Sequence, residues 1–373
     1  GSSVAPGTAV ALVISTGPAP VNVPNVVGSS QGAAQSTLTG AGLTVGNVTQ
    51  QASGSVASGN VISQNPQAGS SVAPGTAVAL VISTGPPGVN TFNDGTDANP
   101  GDQICETGTG NGICTLRAAI QEANALPGEQ TISLPSGNYS LELSGQNEDN
   151  ATTGDLDITD SLIIESSTGN ATDVIISGQN LDRVFDIPQG NPTVTIRGLT
   201  IQDGSSSGST GGGIRNMAGT LTVETSNIIN NQSNGSGGGI SHLDGSLTVQ
   251  DTTISNNTSQ GRGGGIQAAN GTVTITTSQF TENEANFGGG LSTGEANVSV
   301  SNSSMTNNDA NGGGGGIYKF LHLGDLFPNI QGPTVRIDET TLQGNLTNDC
   351  EGSIVNGSNN TLGNTTRCNL LSP

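Results

Sequence analysis

Gly211-Gly212-Gly213-Ile214 is followed by Gly237-Gly238-Gly239-Ile240, Gly263-Gly264-Gly265-Ile266, Gly288-Gly289-Gly290-Leu291 and Gly314-Gly315-Gly316-Ile317. The closing residues of these quartets recur at an interval that is constant to within one position. A fixed period of this length marks one small unit stacked on copies of itself, because a single unit has too little apolar surface to bury alone. Seven positions after the first four closing residues come Leu221, Leu247, Val273 and Val298, and a fifth copy resumes at Val335. Counting from these markers, position +2 is Val223, Val249, Ile275, Val300 and Ile337, and position +7 is Ile228, Ile254, Phe280, Met305 and Leu342. Apolar residues at 0 and +2 alternate with polar ones at +1 and +3, which is the period of a strand with one buried face.

Position +5 is Ser226, Thr252, Ser278, Ser303 and Thr340, and position +10 is Asn231, Asn257, Asn283, Asn308 and Asn345. When coils stack at about 4.8 Å, identical carboxamides each donate to one neighbour and accept from the other, so an inward Asn is satisfied without water. These asparagines are therefore expected to form a structural ladder. Val194, Ile196 and Ile201 begin the pattern one coil earlier, with Gly204 where the Asn would stand. A flexible Gly-rich linker would not keep an apolar residue, a hydroxyl and an Asn in register over five copies. The glycines instead fit a recurring turn that needs left-handed or crowded backbone.

The stretch Cys114-Thr115-Leu116-Arg117-Ala118-Ala119-Ile120, preceded by Asp97-Ala98-Asn99-Pro100-Gly101-Asp102 and followed by Leu181-Asp182-Arg183-Val184-Phe185, adds to the Gly-Gly-Gly-Ile coils. With them, residues 88–373 resemble a right-handed parallel β-helix of the pectin-lyase-like type, in the secreted bacterial group named for its Cys-Ser-Leu-Arg-Glu-Ala motif. The match departs from that motif at Thr115 and Ala118. Residues 115–126 read as a helix with Thr115 as N-cap and Leu116, Ala119, Ile120 and Ala123 on one face. Its expected role is to cap the solenoid, whose ends would otherwise expose apolar surface and an unpaired strand edge.

Val23-Pro24-Asn25-Val26-Val27-Gly28, then Gly42-Leu43, Val61-Ile62-Ser63-Gln64-Asn65-Pro66 and Gly75-Thr76-Ala77-Val78, give residues 21–86 a second resemblance, to the PASTA domain. That resemblance implies a small βαββ module of bacterial surface proteins and cell-wall-sensing kinases. Residues 1–18 repeat residues 69–86 without a change, so the chain opens inside the closing strands of another PASTA copy. Either upstream residues complete that copy, or the strand over 9–14 pairs with a neighbouring subunit.

The expected organisation is a partial PASTA repeat at 1–18, a PASTA domain at 21–86 and an N-terminal cap at 88–129. The β-helix coils follow at 130–349, about nine or ten of them, and a C-terminal cap at 350–373. The fold class is mainly β, a parallel β-helix preceded by small α+β PASTA modules. Cys105 with Cys114 and Cys350 with Cys368 form two local pairs, one near each end, and are expected to be disulfides. Disulfides imply an oxidising, extracellular or bacterial cell-surface setting.

The formal net charge is −21 with only 8 Lys plus Arg, which argues against nucleic acid or an anionic membrane as partner. No long apolar run is visible, so membrane insertion is not expected, and a secretory leader is expected to have been removed. Asp94, Asp97, Asn99 and Asp102, with Asn93, form the densest group of oxygen ligands, and calcium is the one cofactor this pattern admits. The competing reading is a polar loop whose Asx side chains cap turns. His242 and His322 show no metal spacing.

Enzymes with this solenoid need carboxylates converging on one groove. The ladder positions +3 and +4 supply scattered acids interrupted by neutral residues, so no paired-carboxylate site emerges. Asp182, Arg183 and Asp186 remain as catalytic candidates, and read equally well as an ion-paired solenoid corner. Between Ile317 and Val335 the repeat carries an excursion of eleven extra positions that holds Tyr318, Phe320, Leu323 and Phe327, either a candidate contact surface or a loop folded down to cover the solenoid's side. The leading expectation is a non-enzymatic, elongated surface or adhesin-like protein with PASTA spacers, open to self-association or cell-wall polysaccharide. The alternatives are a polysaccharide-binding or polysaccharide-degrading β-helix, and a filament subunit joined by strand addition.

Overall fold

A computed structural model describes residues 3, 5–9, 11–13, 17–51, 53, 56, 59–83, 85, 88–146, 148–320 and 333–372. The chain divides into two compact units, Gly1–Gly85 and Pro86–Pro373.

In the first unit, helix α1 (Gln31–Gly40) starts at Ser30, whose side chain accepts the Ala33 N–H. It lays Ala34 and Leu38 against a three-stranded sheet in which Ala77–Ser83 is central, parallel to Thr44–Gln51 and antiparallel to Val61–Asn65. Val61, Val78, Leu80 and Ile82 complete a core of their own. The buried Gln64 carboxamide accepts from Val26 N–H at 2.8 Å and donates to Pro24 O at 2.9 Å, tying the opening Val-Pro segment to the sheet. Among the described residues of 1–18 no strand forms. Leu12 and Val13 stand exposed, and Val10 and Ile14 lie outside the described residues.

The second unit is a parallel β-helix. Each regular coil contributes four strands, of which the second copy is typical: Ile240–His242, Ser246–Gln250, Thr253–Ser255 and Thr258–Ser259. The first two kinds merge into a 17-stranded sheet, the third builds nine parallel strands and the fourth five. Register follows the sequence period. Ile214 pairs with Ile240, Ile240 with Ile266, Ile266 with Leu291 and Leu291 with Ile317. The Val/Leu markers stack in the same way from Leu221 to Val335, and so do the side chains from Ile228 to Leu342. All of these side chains are buried in one continuous apolar interior.

The corners explain the spacing. The first glycine of each triplet is left-handed, with φ between 65° and 75°. The other two are set by crowding: a Cβ on Gly239 would lie 2.7 Å from the carbonyl oxygen of Gly265 in the next coil. Two further corners use non-glycine residues. Position +4 (Thr225, Asp251, Thr277, Asn302, Glu339) has φ of 47° to 50°, and position +9 (Asn230, Asn256, Glu282, Asn307) has φ of 56° or 57°.

The Asn ladder runs along the axis. Asn231 Nδ2 donates to Asn257 Oδ1 at 3.0 Å, Asn257 to Asn283 and Asn283 to Asn308 at 2.9 Å, and Asn308 to Asn345 at 3.1 Å. Each acceptor oxygen also takes the backbone N–H of the preceding Asn, and each amide also donates to a backbone carbonyl, such as Ile228 O from Asn257 at 2.9 Å. Gly204 opens the ladder by donating its own N–H to Asn231 Oδ1 at 2.9 Å. The +5 hydroxyls make a parallel series, in which Thr252 N donates to Ser278 Oγ at 3.2 Å and Ser278 N to Ser303 Oγ at 3.1 Å.

Helix α2 (Leu116–Ala125) covers the first coil, with Thr115 accepting the Ala118 N–H at 3.0 Å as N-cap. It is buried beyond its expected face, since Arg117, Gln121 and Glu122 are also enclosed. The far end differs from expectation. Cys350–Asn356 and Arg367–Leu371 do not fold over the solenoid but add two more parallel strands to it. The disulfide Cys350–Cys368 fastens the last strand to its neighbour, and Cys105–Cys114 closes the loop before α2. No helix among the described residues is long and apolar enough to cross a membrane.

Candidate functional site

Chemistry concentrates where the first coils meet the capping helix. Leu156–Asp157, Phe185–Ile187 and Ile214–Asn216 are in-register neighbours, so Asp157, Asp186 and Arg215 stack on the face opposite Leu156, Phe185 and Ile214. Arg215 Nε donates to Asp186 Oδ1 at 2.8 Å, Nη2 donates to Asp186 Oδ2, and Nη1 reaches Ser209 Oγ at 3.3 Å. In the turn before Phe185, Arg183 pairs with Asp155 (2.6 Å), and Asp182 Oδ1 accepts the Arg183 backbone N–H at 2.8 Å. Asp157 Oδ2 accepts Ala151 N–H at 2.7 Å, while its buried Oδ1 and the buried Oδ2 of Asp182 have no hydrogen-bond partner among the described residues.

Burial dominates the electrostatics. It pushes Asp155 up to about 7, with Asp182 and Asp186 adding to the rise and Arg183 opposing it. It pushes Asp157 up to about 8, reinforced by the charge of Asp155, and raises Asp182 as well. Carboxylate oxygens of Asp149, Asp157 and Asp186 lie within 4.8 Å of one another, and Asp149 is exposed. A cleft of about 170 Å³ opens beside the network, lined by Asp182, Arg183, Gln146 and Ser206–Ser209.

Asp182 and Asp186 were legible as candidates, together with Arg183. Asp155, Asp157, Asp149 and Arg215 were not. The available signal was the Asp155-Leu156-Asp157 triplet, an apolar residue flanked by acids one coil before Phe185-Asp186.

In the loop group read for calcium, the aspartates are engaged by the protein's own donors. Asp94 is taken by the buried Arg117, which donates to it from Nε at 2.7 Å and Nη2 at 3.0 Å; Asp94 also accepts from Glu142 and Leu143 N–H. Asp97 accepts from Asn99 N–H at 2.8 Å and Glu106 N–H at 3.2 Å, and Asp102 accepts from Ile104 N–H at 2.8 Å. Asp94, Asp97 and Asp102 bring no three carboxylate oxygens within 4.8 Å. These side chains cap turns and anchor the helix.

The excursion after Ile317 begins as a strand. Tyr318 packs on Phe287 with ring centroids 5.0 Å apart, and Arg262 lies 4.7 Å over the ring of Phe320, which is 46% exposed. Leu323 and Phe327 lie outside the described residues.

The PASTA domain family model matches residues 21–84, so that segment is a PASTA domain. Relatives include a probable serine/threonine-protein kinase of Clostridium acetobutylicum, 45% identical over 80 residues, which are 21% of this chain and 12% of that protein. The probable serine/threonine-protein kinase PknB of Corynebacterium glutamicum is 40% identical over 86 residues, 23% of this chain and 13% of its own. That of Lactococcus lactis is 39% identical over 79 residues, 21% of this chain and 12% of its own. The chain thus spans about an eighth of the length of these curated relatives. No solved structure matches it.

Proposed function

We propose that this chain is a secreted or surface-exposed, non-enzymatic bacterial protein in which a PASTA domain engages cell-wall material and a β-helix supplies a long, stiff lateral surface. The observation that carries this reading is the PASTA domain at 21–84 in one chain with a parallel solenoid whose interior is filled by aliphatics and an Asn ladder. Two disulfides support an oxidising compartment. The catalytic candidate Asp186 has both oxygens held by Arg215, which favours a positioning role over proton transfer.

One feature favours polysaccharide as the lateral ligand. The outward residues of the long strands repeat as Thr193/Thr195, Thr220/Thr222, Ser246/Thr248 and Thr272/Thr274, two ranks of hydroxyls in coil-to-coil register. A shallow groove of about 390 Å³ nearby is lined by Thr277, Gln279, Asn302, Ser304 and Glu339 among others. The test is cosedimentation of the full chain with insoluble peptidoglycan and with neutral and acidic polysaccharides, alongside assays for reducing ends and unsaturated uronates. Binding without product release is expected. Product release that Asp186→Ala abolishes would replace this reading with the enzymatic one.

A further inference from the structure

We propose that Asp149, Asp157 and Asp186 hold a calcium ion that fastens the turn carrying Asp149 to the first coils of the solenoid. The geometry is that of a shared ligand set. Oxygens bound to one calcium at about 2.4 Å lie no more than about 4.8 Å apart, and the three carboxylates each present an oxygen within that span. Two of them come from adjacent strands in register, Asp157 beside Asp186, an arrangement in which the two carboxylates repel once both are ionised.

A second observation points the same way. Asp157 is fully buried, and its Oδ1 has no hydrogen-bond partner among the described residues although its Oδ2 is satisfied by Ala151 N–H. An orphaned, enclosed carboxylate oxygen is costly, and coordination to a cation satisfies it. Arg215 uses one acceptor site on each oxygen of Asp186 and leaves the others open. The charge around the site is also unbalanced: among the described residues Asp149, Asp155, Asp157, Asp182 and Asp186 interact with Arg183 and Arg215, with Glu148 close by. The remaining guanidinium, Arg117, is matched by Asp94.

The ligands are all carboxylate oxygens, which select a hard cation over zinc or copper. Asp149 is exposed, so water completes the coordination on that side. The site is independent of what the PASTA domain or the lateral face binds.

The test is calorimetric titration of the full chain, freed of metal with EGTA, with calcium chloride at pH 8, paired with thermal unfolding. Extracellular calcium modules bind down to roughly 10⁻³ M, so titration runs to about 10 mM. One saturable site and a calcium-dependent rise in Tm of several degrees are expected. Asp149→Asn, at an exposed position, should leave the Tm in EGTA within about 2 °C of the parent and weaken calcium binding at least ten-fold. Asp102→Asn in the other acidic loop should leave calcium affinity unchanged. Absence of both heat and Tm shift in the parent, or parental affinity in Asp149→Asn, overturns the proposal, as does loss of binding in Asp102→Asn.

Discussion

Asn345 donates its carboxamide N–H to Asp349 Oδ1 at 2.7 Å, and its backbone N–H to the same oxygen at 3.2 Å, so the amide ladder ends on a carboxylate. A carboxylate only accepts, which makes it a terminus where a further Asn would need a partner of its own. Asp349→Ala should leave two buried donors unsatisfied and lower unfolding free energy by about 2–4 kcal/mol. Asp349→Asn, which keeps an acceptor oxygen, should cost less. Denaturant titration of the two variants measures the difference.

In the middle of the ladder the order of severity should change. Asn257 accepts from Asn231 and donates to both Asn283 Oδ1 and Ile228 O. Asn257→Asp would set a carboxylate oxygen against those two acceptors, whereas Asn257→Ala only removes the bonds. Asp is therefore expected to destabilise more than Ala, with the Ala loss about 3 kcal/mol. Equal effects in thermal unfolding would show that the amide protons do not set the ladder.

Gly239→Ala should be damaging although it adds a single methyl. Its Cβ would stand 2.7 Å from a backbone carbonyl that is itself fixed in the next coil. A loss of at least about 2 kcal/mol is expected in equilibrium unfolding, against a small effect for Gly208→Ala, where nothing lies within 4 Å.

Arg117 and Asp94 are both enclosed, at 0% and 1% side-chain exposure. Arg117→Met leaves Asp94 buried without its counter-charge and frees the carbonyls of Ala151, Gly154 and Asp155. A cost of about 3–5 kcal/mol is expected, and the pairing of Arg117→Met with Asp94→Asn should recover part of it in a double-mutant cycle.

His242 supplies a pH dependence. It is buried at an inward position of its coil, and Asn216 Nδ2 lies 3.0 Å from its Nδ1, which places the proton of the neutral ring on Nε2. Burial holds its pKa down to about 4, well below the usual 6.5. The unfolded chain therefore binds a proton that the folded one refuses between those values. The stability from this group is full above about pH 6.5 and falls by about 3 kcal/mol as pH drops toward 4. His242→Gln should flatten that part of the stability-against-pH curve.

The regular coils were legible because their period is written in side chains that must stack. Ile214, Leu221, Ile228 and Asn231 each predict a neighbour one period further on, and the registers pair those neighbours. Helix α2 and the two cysteine pairs followed from local signals. The Asp155–Asp157–Asp186–Arg215 group was hidden because Asp157, Asp186 and Arg215 recur at a longer interval than the regular coils do. Their proximity exists only once the register of irregular coils is known. Arg117 looked like one more helix residue because its partner lies 23 positions upstream. The C-terminal strands read as a lid in sequence, because spacing between cysteines marks a crosslink but not whether the joined segments fold over or continue the sheet.

The carboxamides of the ladder all point one way, from Gly204 toward Asp349. Length is consequently a free parameter in one region and a fixed one in another. A duplicated block placed between Asn231 and Asn345 meets a donor below and an acceptor above, so the rod could grow coil by coil there. Beyond Asp349 the same block would set its carbonyl oxygen against a group with no proton to give, and growth stops.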